Sequence, residues 1–562
     1  MALLPAISSS SSINRFHQKH AETNLNSSVC VKTQKFGKTK IYMICSTAFT
    51  TQGTVGPFHV ENAPRRFCKS ALNSSHRSAA LVDSSHNTMK DLNNLESQLQ
   101  ELFNEVKLLI KSGKRNDAMD LLQANYDAVK EQIDAGAKGI EEAAMLDIIA
   151  LGYVALGDLK FVFSLLFKLR EIVGDLKNNE PLLDSVLMHM GSMYSTTGKY
   201  EESILMYQRA VQILEDVHGK NSTLLITPLM GIAKALGSLG RAPEAVESYH
   251  RAIAILEVSR GFECKDLMVP LFSLGNLLMK KGQAEDAESC FSRVLDICKK
   301  SYGENDGRVG MAMCSLAHVK CAKGNVDEAI RLYRDALQVI EDSKYTAVDD
   351  NIMEKIRIDL AELLHVVGRG KEGRKLLEDC LVIAEKYKGQ EHPSSVTHLL
   401  NLATSYSRSK NFVEAERLLR TSLRIMMKTV GPKDQSVTFP MLHLAITLYH
   451  LKQDEEAERL VLEALYIREE AFGKESLLVG EALDCLVSIQ TRLGKDDDEL
   501  LELLKRVLKI QEKEFGYESE EVLETLKKIV FYLDKLGRTD EKFPLQRRLS
   551  VLKTKYKNLV RQ

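Results

Sequence analysis

The chain has 562 residues, of which 44% are hydrophobic and 27% charged, and it contains no tryptophan. Its formal net charge is only −1. Proteins that hold a phosphate backbone need a basic face, so this balance argues against nucleic acid as a partner. The charge is uneven, because residues 1–69 carry nine Lys or Arg against two Glu. The rest of the chain is therefore mildly acidic.

The first element in chain order is a leader over residues 1–69, which is basic and rich in Ser, Thr and Asn. This composition is typical of an organelle transit peptide, and a secretory signal would need a continuous apolar core that is missing here. The start MALLPAISSSSS favours a chloroplast over a mitochondrion, with processing near Cys45. We therefore predict the chloroplast stroma, with the cytoplasm as the alternative if the leader is only a disordered tail. A flexible linker is expected over 70–88.

A short heptad stripe follows the linker. Its members are Leu92, Leu95, Leu99, Leu102, Val106 and Leu109. The stripe covers fewer than the three or four heptads that indicate a coiled coil. We therefore predict an N-terminal capping helix or degenerate repeat over 89–135, and a dimerising coil stays open as the alternative.

Residues 140–540 repeat with a period close to 42 residues. Small residues recur in two series that run in phase: Ala150, Gly191, Ala233, Gly275, Ala317, Ala361, Ala403 and Ala445 in the first, and Ser203, Ala245, Ala287, Ala329, Gly373, Ala415 and Ala457 in the second. A period of this size indicates a helical-repeat protein. We predict an all-α, right-handed superhelical solenoid of about 9–11 antiparallel helix pairs. Two small residues should meet where the helices of a pair cross.

Glycines mark the joints of this repeat. One series is expected to take a left-handed backbone between the two helices of a pair, because glycine has no Cβ to strain. It includes Gly198, Gly282 and Gly324, with Lys410 and Lys452 at two of its positions. A second series, which includes Gly219 and Gly261, closes each pair. Residues 341–358 lack the closing glycine, which predicts an irregular junction.

These residues resemble the tetratricopeptide repeat. Gly191, Tyr194, Gly198, Tyr207 and Ala210 match its pattern of small, aromatic and glycine positions. The longer period and the segment 392–431, with a His-Pro opening, NLA and a closing Gly, are similar to the kinesin light chain subgroup, here in a plastid-targeted plant form. The resemblance implies a protein-binding scaffold.

The resemblance also implies a binding groove lined by the first helix of each pair. The residue after the small position should point into it, and a second row lies two positions before the small residue. The candidate groove residues are Ser192, Lys234, Asn276, His318, Glu362 and Thr404 in the first row, and His189, Asn401 and His443 in the second. Their mixed polarity favours an extended peptide held by hydrogen bonds and ion pairs over an enclosed small molecule.

No motif indicates catalysis, a cofactor or a metal. GRGKEG at 368–373 follows a helical pattern where a dinucleotide site needs a strand. No apolar run is long enough to span a membrane. The cysteines are expected to be free thiols of a reducing compartment, with a regulatory pair among Cys290, Cys298, Cys314 and Cys321 as the alternative.

We predict a non-enzymatic scaffold of the chloroplast stroma that binds client peptides or subunits during complex assembly or biogenesis. A cytosolic kinesin-light-chain-related adaptor between cargo or membrane and the cytoskeleton is the first alternative, and a helical-repeat RNA-binding factor is the second. A basic C-terminal helix or tail is expected over 541–562. The sequence leaves open the identity of the partner and the oligomeric state, including a monomer.

Overall fold

The computed structural model describes residues 33–36, 39–42, 85–348 and 350–561. Over these residues it has two strands and 22 α-helices. In chain order they are β1 (Thr33–Phe36), β2 (Thr39–Tyr42), α1 (Ser85–Lys111), α2 (Arg115–Asp134), α3 (Ile140–Leu156), α4 (Leu159–Asp175), α5 (Leu183–Thr196), α6 (Tyr200–His218), α7 (Ile226–Ser238), α8 (Ala242–Arg260), α9 (Met268–Lys281), α10 (Ala284–Tyr302), α11 (Gly307–Lys323), α12 (Val326–Ser343), α13 (Asn351–Val366), α14 (Gly370–Lys388), α15 (Ser394–Arg408), α16 (Phe412–Val430), α17 (Thr438–His450), α18 (Asp454–Phe472), α19 (Leu477–Leu493), α20 (Asp497–Phe515), α21 (Glu520–Lys535) and α22 (Thr539–Arg561).

The helices belong to two compact units. Of the described residues, 85–325 form the N-terminal unit, and 326–348 and 350–561 together with β1 and β2 belong to the C-terminal unit. Successive helices form antiparallel pairs, from α1–α2 to α9–α10 in the N-terminal unit and from α13–α14 to α21–α22 in the C-terminal unit. By its place in the repeat α11, the last helix of the N-terminal unit, is a first helix, and α12, the first helix of the C-terminal unit, is a second helix. We call the first helix of a pair its A helix and the second its B helix. The predicted all-α repeat fold is confirmed.

The predicted leader and linker lie mostly outside the described residues, including the expected processing site near Cys45. Within the leader, β1 and β2 form an antiparallel pair in which Thr33 lies opposite Tyr42. This hairpin was not predicted from the sequence.

Small residues do meet where the two helices of a pair cross. The Ser203 hydroxyl of α6 donates a hydrogen bond of 2.7 Å to the Gly191 carbonyl of α5. A Cβ built on Gly373 would lie only 2.6 Å from the Ala361 carbonyl oxygen. Larger side chains there would push the helix axes apart. The predicted role of both small-residue series is confirmed at these crossings.

The joints take the predicted left-handed backbone. Gly282 has a φ of +76°, and Lys410 and Lys452 have φ values of +60° and +63°. Gly261, which closes a pair, has φ +85° and ψ +165°. The N–H of Gln283 donates to the Leu278 carbonyl at 3.0 Å, which satisfies an end carbonyl of α9.

Arginines on the B helices tie consecutive pairs together. Arg293 of α10 forms an ion pair of 2.5 Å with Glu257, and its Nη2 donates to the Phe262 carbonyl at 2.8 Å. Its guanidinium also lies 6.0 Å from the centre of the Phe262 ring. Each contact joins α10 to the end of the preceding pair. Charged hydrogen bonds with two partners fix geometry as well as adding stability.

The heptad stripe of α1 packs against other helices of the same chain. Leu95, Leu99, Leu102 and Val106 are all buried in one apolar cluster that includes Leu146 of α3. The apolar side of α1 therefore covers the start of the repeat array.

The junction that lacks a closing glycine is irregular, as predicted. Helix α12 ends at Ser343, Lys344 takes a φ of +49°, and α13 begins only at Asn351. Arg357, which is 5% exposed, holds the connection through Glu341 at 2.8 Å and the Val348 carbonyl at 3.3 Å.

Candidate binding face

Four A helices of the N-terminal unit each carry one polar residue of the predicted first row. Ser192 and Lys234 are exposed, and Asn276 and His318 are half-buried. Helix α5 contacts α7, and a Cβ on Gly237 of α7 would lie 3.5 Å from a methyl of Leu277 on α9. We call the accessible side of α5, α7, α9 and α11 the A-face. These four predicted groove residues lie on the A-face, one on each helix.

Buried tyrosines of the B helices form hydrogen bonds with serines of the A helices. The Tyr207 ring of α6 lies between Gly191 and Gly231, where an added Cβ would approach it to 2.9 and 2.4 Å. Burial raises the pKa of Tyr207 to about 12, and its hydroxyl is hydrogen-bonded to Ser192. Burial likewise raises the pKa of Tyr249 to about 12, and Ser273 is its partner. These contacts hold the serines of the A-face in place.

His189 lies at one end of the A-face and pairs with α3. Its Nδ1 is 2.6 Å from a carboxylate oxygen of Asp147, whose side chain is 1% exposed. Burial raises the pKa of Asp147. Burial lowers the pKa of His189, but the Asp147 carboxylate outweighs it, so the net shift of that pKa is upward. His189 is thus held by a neighbouring helix.

Charge is segregated between the two kinds of helix. Helices α5, α7, α9 and α11 carry six Lys or Arg and one Asp, whereas α6, α8 and α10 carry six Lys or Arg and eleven Asp or Glu. Lys320 and Lys323 bind Glu288, each at 2.7 Å. Lys234 and Lys280 are exposed and make no ion pair with any described residue. The A-face therefore offers cations to a ligand.

This segregation was missed from the sequence, although the signal was available. The whole-chain charge is near zero because the A and B helices offset each other. Summing the charges helix by helix would have found it.

An apolar row runs beside the polar one. Its members are half-buried and spaced by 42 residues: Met188, Met230, Phe272 and Cys314. Thioether side chains are flexible and polarizable, so they adapt to ligand groups of different shape. The A-face can therefore bury apolar groups of a ligand beside its cations.

The C-terminal unit places the remaining groove candidates differently. Glu362 accepts a hydrogen bond of 2.7 Å from Arg408, and Asn401 is half-buried. Thr404 and His443 are only 5% and 3% exposed. The Thr404 hydroxyl is used within its own helix, since it donates to the Leu400 carbonyl at 2.9 Å. These last two side chains lie inside the helix packing.

Other sequence features have structural roles. Gly368 takes a φ of +80° after a helix, which is the repeat joint. Burial raises the pKa of Cys290 to about 11 and that of Cys298 to about 12, so both thiols are protonated at neutral pH. Across the described segments, no three His, Cys, Asp or Glu side chains are grouped as metal ligands. In the same segments, no helix combines the length and apolarity that crossing a membrane requires.

Family models place the chain among helical-repeat proteins. A MalT-like tetratricopeptide region matches residues 176–371, and two tetratricopeptide repeat models match 353–428 and 441–477. The chain is a tetratricopeptide repeat protein. Curated protein sequences show no match to it.

Several solved structures are similar to parts of the chain. A putative kinesin light chain with nearly identical TPR-like repeats, from Podosopora anserina, is 23% identical with a TM-score of 0.34, covering 36% of this chain and 96% of its own. BtubC (BKLC) from P. vanneervenii is 16% identical with a TM-score of 0.31, covering 49% and 92%. The apo quorum sensor NprR from B. thuringiensis is 14% identical with a TM-score of 0.41, covering 66% and 99%.

Proposed function

We propose that this protein is a scaffold of the chloroplast stroma that binds client polypeptides on the A-face during the assembly of a complex. The segregation of charge between A and B helices carries the proposal. A repeat array needs no exposed cations on its A helices for its own packing, yet Lys234 and Lys280 are exposed on the A-face. Extended surfaces of stacked repeats are suited to holding other chains.

The A-face defines the chemistry of the client. Cations at Lys234 and Lys280 complement carboxylates, and the polar side chains of Ser192 and Asn276 can hydrogen-bond a peptide backbone. The row from Met188 to Phe272 buries apolar side chains of the same segment. The client segment is therefore acidic, extended and partly apolar.

The leader supports the plastid compartment. Residues 1–69 combine nine basic residues with two acidic ones and a Ser-rich start. A protein that acts in the stroma needs such a leader for import into the plastid, whereas a cytosolic adaptor does not.

Charge reversal on the A-face tests the binding site. The Lys234→Glu, Lys280→Glu double variant should lose the proteins that co-purify from plastid extract with the wild-type chain, and capture by the wild type should fall as salt is raised. The matched control is Lys160→Glu on α4, an exposed lysine outside the A-face. Equal recovery with the double variant would remove the A-face from the proposal, and loss with the control as well would indicate a general charge effect.

A separate experiment tests the compartment. Residues 1–80 fused to a fluorescent protein should direct it into plastids. Accumulation in the cytosol would refute the stromal location and favour the cytosolic adaptor, while leaving the A-face result independent.

A further inference from the structure

A recurring joint links the loop after one B helix to the next B helix. In two repeats the residue after the closing glycine is aromatic and lies over an arginine: Phe262 over Arg293 at 6.0 Å, and Tyr517 over Arg548 at 5.5 Å. In both, the carbonyl of the aromatic residue accepts from that arginine, at 2.8 and 2.7 Å. Guanidinium and ring attract each other at such distances.

The same joint has a second recurring contact. A lysine seven positions after the arginine position pairs with a glutamate that follows the closing glycine by two residues. The pairs are Lys300–Glu263, Lys428–Glu391, Lys513–Glu475 and Lys555–Glu518. This ion pair is therefore common to four joints.

The joint between α6 and α8 lacks both features. Lys220 stands where Phe262 and Tyr517 stand, and Asn221 and Val258 replace the Glu and Lys of the recurring pair. Val258 is left 80% exposed. Arg251 keeps its ion pair with Glu215, and among the described residues no loop carbonyl accepts from it.

A recess of about 370 Å³ lies at this joint. It is lined by Glu215, Lys220, Asn221, Arg251, Ala254, Ile255 and Val258. Ala254, Ile255 and Val258 give this lining its aliphatic part, and Arg251 gives it a guanidinium. Lys220 and Arg251 outnumber the single carboxylate of Glu215, so the recess carries net positive charge.

We propose that this recess docks a phenylalanine or tyrosine side chain of a partner protein. The chain supplies the template, because two sibling joints place their own ring over the equivalent arginine. The docked ring lies over Arg251 and against Val258, and burying it removes apolar surface of both from water. A carbonyl or carboxylate oxygen of the same segment accepts from Arg251 or Lys220. The recess lies among B helices, so it is a second site, independent of the A-face.

The tripeptide Gly-Phe-Glu, acetylated and amidated, is the probe, because it copies residues 261–263. Saturation-transfer NMR on the full chain should show binding through the ring, with a dissociation constant of ~1 mM, as expected for one side chain. Lys220→Phe supplies the ring within the chain, so it should weaken probe binding at least about tenfold. Lys474→Phe is the control, since it adds the same ring at the Arg506 joint and leaves the recess open.

Loss of binding in Lys220→Phe alone supports the proposal. Binding that is absent in the wild type, unchanged in Lys220→Phe, or equally weakened in Lys474→Phe overturns it. Equal binding of Gly-Ala-Glu overturns it as well, because the ring would then contribute nothing. If phenylacetate binds at the recess more tightly than the tripeptide, the site belongs to a small aromatic acid and the protein partner is refuted.

Discussion

The closing glycine of a pair is a single residue on which the joint depends. Gly261 has φ +85° and ψ +165°, a region that is essentially restricted to glycine. No heavy atom lies within 4 Å of the position a Cβ would take. Gly261→Ala therefore adds backbone strain without a clash, and we expect it to reduce the free energy of unfolding by about 1–3 kcal/mol. Urea unfolding followed by far-ultraviolet circular dichroism measures the change.

Gly174 provides the matched control. It is exposed within α4, and a Cβ there would also meet nothing within 4 Å. Gly174→Ala should leave stability unchanged or raise it by up to about 1 kcal/mol, because alanine favours a helix over glycine. A loss of similar size in both variants would mean that backbone strain is not the cause.

The pair of His189 and Asp147 makes the contact between α3 and α5 dependent on pH. Both pKa values are raised, that of Asp147 above 3.8 and that of His189 above 6.5. The folded state then binds these protons more tightly than the unfolded state, so the pair contributes stability at low pH and loses it as pH rises through the folded values. Asp184, whose pKa burial also raises, acts in the same direction.

We therefore expect hydrogen exchange in α3 and α5, corrected for its intrinsic rate, to be faster at about pH 8 than at about pH 6. His189→Gln should flatten this dependence. Persistence of the full dependence in that variant would assign it to other groups.

At the scale of the element, α1 acts as a cover for α3. Leu99 is 1% exposed within the shared apolar cluster, whereas Leu108 on the same helix is 69% exposed. Leu99→Ala should cost about 2–5 kcal/mol locally and speed hydrogen exchange in α1 and α3, while Leu108→Ala should change neither. Light scattering serves as the second measurement. A fall in mass without faster exchange in α3 would show that the stripe dimerises instead.

The elements that sequence predicted well are those that the repeat copies many times. Local steric constraints determine which residues fit the joints at Gly282 and Lys410 and the crossing of Gly191 with Ser203. Because the same constraint recurs in every repeat, the residue pattern recurs too and can be recognised in the sequence. The burial of Thr404 and His443 depends on how closely neighbouring A helices pack, which no local pattern encodes. The contact of Arg293 with Phe262 joins positions 31 residues apart, and only a comparison of two joints reveals it.

At the scale of the whole repeat array, a destabilising substitution in one helix pair should affect only the neighbouring pairs. A side chain at Gly191 would meet the Tyr207 ring at 2.9 Å, so Gly191→Val should overpack the α5–α6 crossing. Because each repeat contacts only its neighbours, the loss of local stability should become smaller with distance from the substitution along the array. We expect faster hydrogen exchange in α5 to α8 and unchanged exchange in α10 and α11. Uniformly faster exchange across the N-terminal unit would show that this unit unfolds as one cooperative block. Client binding at the A-face would then stabilise the whole unit against local unfolding, and not just the helices in contact with the client.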